Sequence, residues 1–545
     1  MKLFIATTLC LCAVAVQPLH AQAHDHASAE TLGNVTFATS CNPTVQPQFN
    51  RAVALMHSFQ FGSAIQGFNA VLAEDPKCAI ADWGIALSSW QNPFAGSKSP
   101  ALLEQGLHAV EHGRAIAAGT DRERAYLNAV AHLYVDSAHI PQSSRVQAYE
   151  DAMAAITAAY PDDMEASIFY ALALAANADP ADKTYAKQRK AGSILEPLFA
   201  LHPDHPGLAH YIIHAYDEPA LAPRAAEAAR RYGIIAPSTP HALHMPSHTF
   251  TRTGDWQASI DTNTASAAAA RAAHQPADQL HASDYMVYAY LQLAQDESAK
   301  RLVESSAQAF ATFDPAHATG AAPASAAYYA NAAIPARYLL ERQAWADAAK
   351  LEPLSSPFPS ANAITYYARG LGAAHTKDKP TLQQAINALD EIHTKLTQSK
   401  EDYWANQIQI QQHELIALLA LVEGHQAEAL TGLHQAVEME DKTEKAAISP
   451  GPLKPAREIL GEILLQLNRQ SEALKEFEAT LNKEPNRFLS LYGAAQAARQ
   501  AGNHEKEKIY SRKLLTIATH ADQPGRPELA EARAASNNST SVPAH

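Results

Sequence analysis

Several things are scarce or missing in this sequence. Alternating β-branched runs are nearly absent, which argues against a sheet-based fold. Beyond the N-terminus no stretch approaches 18 consecutive apolar residues, so no later transmembrane helix is expected. A basic surplus is lacking too: the formal charge is -14. That argues against nucleic acid as a main partner, because phosphate binding wants a positive surface. There is no glycine-rich phosphate loop, no G-x-S-x-G elbow and no H-E-x-x-H helix. HYIIH has the spacing of the last motif but not its glutamate, so a peptidase of that type is not supported. Cysteine is rare, with four in 545 residues.

Two of those four, Cys10 and Cys12, sit in a stretch that reads as a secretory leader. Lys2 gives the positive start, Leu3 to Val16 the apolar core, and Ala21-Gln22-Ala23 the small-residue cleavage pattern. Both cysteines follow leucine, against a lipoprotein anchor. The chain is therefore expected to be exported, to the periplasm or outside the cell. Cys41 and Cys78 then remain. In an oxidising compartment a disulfide is the natural expectation, and two separate buried thiols are the alternative.

What is present in quantity is helix. Hydrophobic residues make up 47%, and Ala-rich helical patterns recur along the chain. At this length a single core is too small an answer, so an array of units packing on their neighbours is expected. RAVALMHSFQFGSAIQGFNAVLAEDP has two helices around a turn near Gly62. Small Ala64 marks the close helix approach, Phe68 and Val71 fill the groove, and Pro76 ends the unit. EILGEILLQLNRQSEALKEFEATLNKEP repeats that grammar with Leu460-Gly461, Leu464, Ala473, Phe477 and Pro485. In both units alanine precedes the final proline by 12 residues.

These units resemble the tetratricopeptide repeat, a 34-residue helix–turn–helix. The resemblance implies an all-α class, an α-α superhelix of stacked helix pairs. The wordings PHALHMPSH and PGPLKPAREILGE also resemble a group of exported bacterial repeat proteins, which implies an architecture and no chemistry. The expected organisation is a leader at 1–23, a lead-in at 24–48 and an N-terminal array at 49–312. An Ala/Gly/Pro-rich hinge at 313–325 joins it to a C-terminal array at 326–518, and a disordered polar tail fills 519–545. SPGPLKP, Ser449 to Pro455, reads as a non-helical link.

Histidine supplies the chemistry. Nine of 26 fall between His202 and His281. His210 with His214, and His244 with His248, are both i, i+4 pairs, and the second follows the first by 34 residues. On a helix each pair shares one face. One repeat further on, HASD aligns with HALH, placing His281 opposite His241 and Asp284 opposite His244. In the tetratricopeptide family this stripe of the first helix lines the concave groove. The resemblance therefore implies that His210, His214, His244, His248, His281 and Asp284 face one hollow; Asp217 and His241 are counted with the same groove, and Arg252 and Tyr288 either orient an anionic ligand there or are plain groove surface.

Two functions follow as expectations. The first is a scaffold whose groove binds a peptide, a protein or a small ligand. The second is a metalloprotein, hydrolytic or oxidative. Its proposed ligands are His210, His214, His244, His248, His281 and Asp284, a set that suits zinc, copper, nickel or iron. Convergence of the ring nitrogens favours metal, and splaying along the groove favours the scaffold. No catalytic residue is assigned.

Overall fold

The structure, a computed structural model, describes residues 30–116, 118–315 and 320–537. The leader expected at 1–23 lies outside them. Among the described residues there is helix and no strand. The fold is an all-α superhelix of tetratricopeptide-like helix pairs, and among the described residues no helix is long and apolar enough to cross a membrane.

One turn builds most of the pairs. In the first unit, helix Gln46–His57 ends and helix Phe61–Glu74 begins across three residues. Phe59 takes a left-handed conformation (φ 55°) and the Gln60 amide donates back to Leu55. The turn thus falls at Phe59–Gln60 rather than at Gly62, which lies inside the second helix. The same backbone bond recurs from Asp255 to Phe250, Gln275 to Ala270, Asp378 to Ala373, Arg469 to Leu464 and Asn503 to Ala498. It satisfies carbonyls that the helix end would otherwise leave orphaned.

Small residues set the helix crossings. Ala64 and Ala473 are fully buried. At the C-terminal unit the Phe477 ring lies between Gly461 and Gly493, and a Cβ on either would run into it. Dense packing of this kind leaves little room for an added methyl group.

The lead-in is packed well before Cys41. Phe37 is fully buried against Phe49, Trp83 and Tyr126. Cys41 and Cys78 form a disulfide with Cα atoms 4.9 Å apart, tying the lead-in to the turn just before helix Ile80–Ser89.

Two boundary expectations need correction. The 313–325 segment does not separate two halves. Asp278 accepts the amides of Ala321 and Ala322, and one apolar cluster runs from Leu280 to Ile334 across it. The tail from 519 is structured as far as it is described. Helix Pro527–Asn537 buries Leu529, and Arg526 pairs with Asp296 at 2.6 Å.

That last contact reflects the curl of the superhelix. Its C-terminal end returns to the middle of the chain. Trp256 donates its indole N–H to Asn486, the Phe488 amide donates to Gln292, and the Asp522 amide donates to Ala294. The segment from Thr443 to Pro455 packs against the histidine-bearing part of the chain, with Lys445 on Asp217 and the Ala447 and Ser449 carbonyls on Tyr285.

Candidate metal centre

Alternate helices carry the histidines, so repeat stacking sets them side by side. Helix Pro206–Ala215 holds His210 and His214. The next first helix is broken at Pro246 into Pro240–His244 and Pro246–Thr253, and it holds His241, His244 and His248. Helix Pro276–Gln292 holds His281.

The six rings form two triads. His210, His214 and His241 are one, and His244, His248 and His281 are the other. Within each, the ligand-type nitrogens lie within 4.8 Å of one another. The triads adjoin. Ring centroids of His241 and His244 are 6.2 Å apart, and those of His214 and His248 are 6.3 Å apart. That matches the widest spacing inside a triad, 6.3 Å for both His214–His241 and His248–His281.

Hydrogen bonds fix the tautomers. His210 Nδ1 lies 2.6 Å from the His57 carbonyl, which only accepts, so Nδ1 carries the proton. His248 Nδ1 donates to Asp217 Oδ2 at 2.8 Å. His244 Nδ1 donates to Asn263 Oδ1 at 2.7 Å, while Asn263 Nδ2 is spent on the Ser259 carbonyl. In all three rings Nε2 is left as a bare lone pair, the arrangement typical of a metal-ligating histidine. His244 Nε2 and His248 Nε2 face each other at 3.1 Å, as do His210 Nε2 and His241 Nε2. His214 Nε2 and His281 Nδ1 are buried with no protein partner.

Burial holds these imidazoles neutral. It pushes His210 and His281 down to about 3, and takes His214, His241 and His244 well below the usual range, with neighbouring histidines adding to the effect. Asp217 is the opposite case. Burial alone would raise it, but Lys445, Arg252 and His248 together hold it well below the usual carboxylate range. Arg252 Nε and Lys445 Nζ reach Asp217 at 3.0 and 3.1 Å. Lys445 comes from the 443–455 segment, whose Ala447 and Ser449 carbonyls accept from the Tyr285 hydroxyl. This segment covers the hollow, so the histidines do not line an open groove.

Asp284 does not join the histidines. Its carboxylate is fully buried against the Arg337 guanidinium, Nε to Oδ1 at 2.8 Å. Arg337 in turn donates to the Gly451 and Pro452 carbonyls, so this pair anchors the covering segment. Tyr288 is likewise outside the triads, buried beside Arg337 and Arg487. Arg252 is committed to Asp217 and Glu444. His241, expected only in the groove wall, completes the first triad. Its alignment with His281 was the signal that pointed there. Asn263 and the His57 carbonyl had no such signal.

Two other clusters read as structural. His57 and His205 both bond Glu165, at 2.9 and 3.0 Å, and His57 Nδ1 also meets the Tyr211 hydroxyl. Every ring nitrogen of that pair is engaged, including His205 Nδ1, which caps a helix at the Leu208 amide. The network's effect is to fix the His57 carbonyl on His210. Cys41, Asp75 and Cys78 also cluster, but their sulfurs are bonded to each other.

Comparison with protein-family models and with curated proteins finds no match. Among solved structures the chain is similar to the human IFIT1 dimer with m7Gppp-AAAA. The identity is 11% over 81% of this chain and 90% of that chain, with a TM-score of 0.36. It is also similar to the P58(IPK) TPR domain, at 12% identity over 85% of this chain and 99% of that one, with a TM-score of 0.21. At these scores the likeness says nothing of the site.

Proposed function

We propose that this protein holds a pair of transition-metal ions, one in each histidine triad, on its helical-repeat scaffold. One observation carries the reading: the facing Nε2 atoms of His244 and His248. In each ring the Nδ1 proton is held by an acceptor on the far side, Asn263 Oδ1 for His244 and Asp217 Oδ2 for His248, and no proton is left to lie between the two Nε2 atoms. A cation resolves that repulsion. Metal–nitrogen bonds of about 2.0–2.1 Å at tetrahedral angles set ligand edges of roughly 3.3 Å, close to the spacing here. An all-imidazole set with no carboxylate suits copper, zinc or nickel better than iron. Asp217, behind His248, supplies negative charge and ring orientation.

Such a pair could polarise water or pass electrons to a small molecule, giving a hydrolytic or an oxidative activity. The test is elemental analysis of the purified full chain, with an expected two equivalents of metal. Replacing His244 and His248 together with alanine should reduce this to one equivalent and leave helicity intact, since alanine is the best helix former. A wild type that takes up none of zinc, copper, nickel or iron ends the reading.

The scaffold reading is the second, and a separate observation favours it. A hollow lined by Tyr367, Tyr403, Trp404 and Gln411, and also by Arg252 and Lys445 of the Asp217 network, is suited to a peptide or small ligand. Export is proposed with either reading, supported by the Cys41–Cys78 disulfide. A fusion of residues 1–23 to a reporter active only outside the cytoplasm tests it.

A further inference from the structure

The hollow of the scaffold reading carries a recognisable chemistry. Its volume is about 110 Å³. A cavity of about 150 Å³ holds benzene, so a head of about five heavy atoms fits here. Helix Pro359–Thr376 brings Tyr367 to it, and helix Asp402–Val422 brings Tyr403, Trp404, Gln411 and Glu414. Gln411 and Glu414 are i, i+3 and share one helix face. Aromatic rings form another part of the wall: the Trp404 centroid is 5.0 Å from that of Tyr403 and 5.8 Å from that of Tyr329.

Three polar atoms of this lining are buried and have no hydrogen-bond partner among the described residues: Glu414 Oε2, Gln411 Oε1 and the Tyr367 hydroxyl. Glu414 and Tyr367 are each only 1% exposed. Buried polar groups are normally bonded, so three orphans around one hollow call for a physical reason. An amide oxygen and an ionised carboxylate only accept, and a hydroxyl can also accept. The group that satisfies all three is therefore a donor. Charge points the same way. The cations of the hollow are engaged elsewhere: Arg252 and Lys445 with Asp217, Lys454 with Glu458 and Glu462, and Arg457 with Asp441 and Glu476. Lys483 donates to the Glu440 and Thr443 carbonyls. Among the described residues no cation pairs with Glu414. Burial raises its carboxyl well above the usual range, Glu440 adds to the effect, and Tyr367 and Lys454 offset it only in part. A cation arriving beside it would favour the charged form.

We propose that this hollow binds a primary ammonium group on a short carbon chain, with Glu414 Oε2, Gln411 Oε1 and the Tyr367 hydroxyl as its acceptors. The proposal rests on the scaffold reading of the hollow and is independent of the metal reading. An ammonium has three N–H donors and no acceptor, which matches the three orphaned atoms. The Tyr403 and Trp404 rings suit both the carbon chain and the charge, because aromatic faces attract cations. A free alkylamine and the lysine side chain of a peptide present this same head.

The probe is n-butylammonium, titrated calorimetrically into the full-length protein at neutral pH. Butyrate and n-butanol are its anionic and neutral counterparts. Saturable binding is expected for the ammonium and for neither counterpart. Glu414→Gln keeps the size of the side chain and removes its charge, and should weaken binding at least tenfold. Tyr367→Phe removes one acceptor and should weaken it severalfold. Circular dichroism checks that each variant is folded, and either one alone suffices for the test. Full-strength binding by a folded variant overturns the assignment of these atoms. Absence of saturable ammonium binding overturns the proposal. If butyrate or n-butanol saturates the hollow instead, the scaffold reading survives that failure. A blocked glycyl-lysyl-glycine peptide separates the two sources. Competition with n-butylammonium at equal or higher affinity makes a peptide lysine the ligand, and failure to compete makes it a free amine. If neither the peptide nor any of the three small probes binds, the scaffold reading of the hollow falls with the proposal.

Discussion

His248 Nδ1 and Asp217 Oδ2 are joined at 2.8 Å, and this bond points the other nitrogen of His248 at His244. The same carboxylate is the acceptor for Arg252 and Lys445. Asp217 thus links ring orientation to the segment that covers the centre.

Asp217→Asn should separate those roles. The amide can still accept from His248, but it brings no charge and leaves two buried cations underpaired. Metal affinity at the second triad is expected to fall 10–100-fold, the usual effect of losing such a partner. The first triad should keep its ion. Competition against a chromophoric chelator measures both; equal weakening at the two triads, or none, contradicts the assignment.

The metal-free protein should be sensitive to acid. His210 and His281 stand at about 3 in the folded chain, against 6.5 when free, because burial penalises their charged forms. A base depressed by folding binds protons better unfolded. Its stability contribution is complete above about pH 6.5 and is lost as pH falls from there towards 3. The Tm of apo-protein should therefore drop steadily from pH 7.5 to 5. Added zinc should raise Tm at pH 7.5 and much less at pH 5, as protons compete for the same nitrogens. A flat Tm across this range would refute the buried, neutral assignment.

Much of this arrangement was legible in the sequence. The 34-residue echo of the histidine pairs fixed their repeat position, and stacking converts equal positions into neighbours. The sequence pattern failed where contacts are non-local. Asp284 was matched to His244 by wording, but its carboxylate is held by Arg337 and not by the histidines. Its true partner, Arg337, lies 53 residues away. Lys445 is 228 residues from Asp217, and no local pattern signals that contact. The tail read as polar, yet Leu529 and Ala532 share one helix face and are buried.

The crossing at Phe477 tests the repeat phase. Gly461 and Gly493 flank its ring, and Gly493→Ala would push a methyl group into it. The expected loss is about 1–3 kcal/mol from overpacking. Urea unfolding of the variant measures it, read from the midpoint at unchanged slope. An unaltered midpoint would mean that the crossing is looser than described.

Asp284→Asn provides the sharpest contrast between structural and metal-binding roles. Asp284 and Arg337 are both fully buried, and the guanidinium also bonds Ser449 and the Gly451 and Pro452 carbonyls. Losing the carboxylate leaves a buried positive charge without its counter-charge, which typically costs about 3–5 kcal/mol. The segment it anchors is the one that supplies Lys445 to Asp217, so its local opening should increase. Amide hydrogen exchange at Ala446–Leu453 should speed up. Metal content at saturating ion should stay at two equivalents, because Asp284 offers no ligand to either triad. If the variant instead lost one ion while its melting curve and exchange rates stayed unchanged, Asp284 would be a ligand, and the division into two all-histidine triads would be wrong.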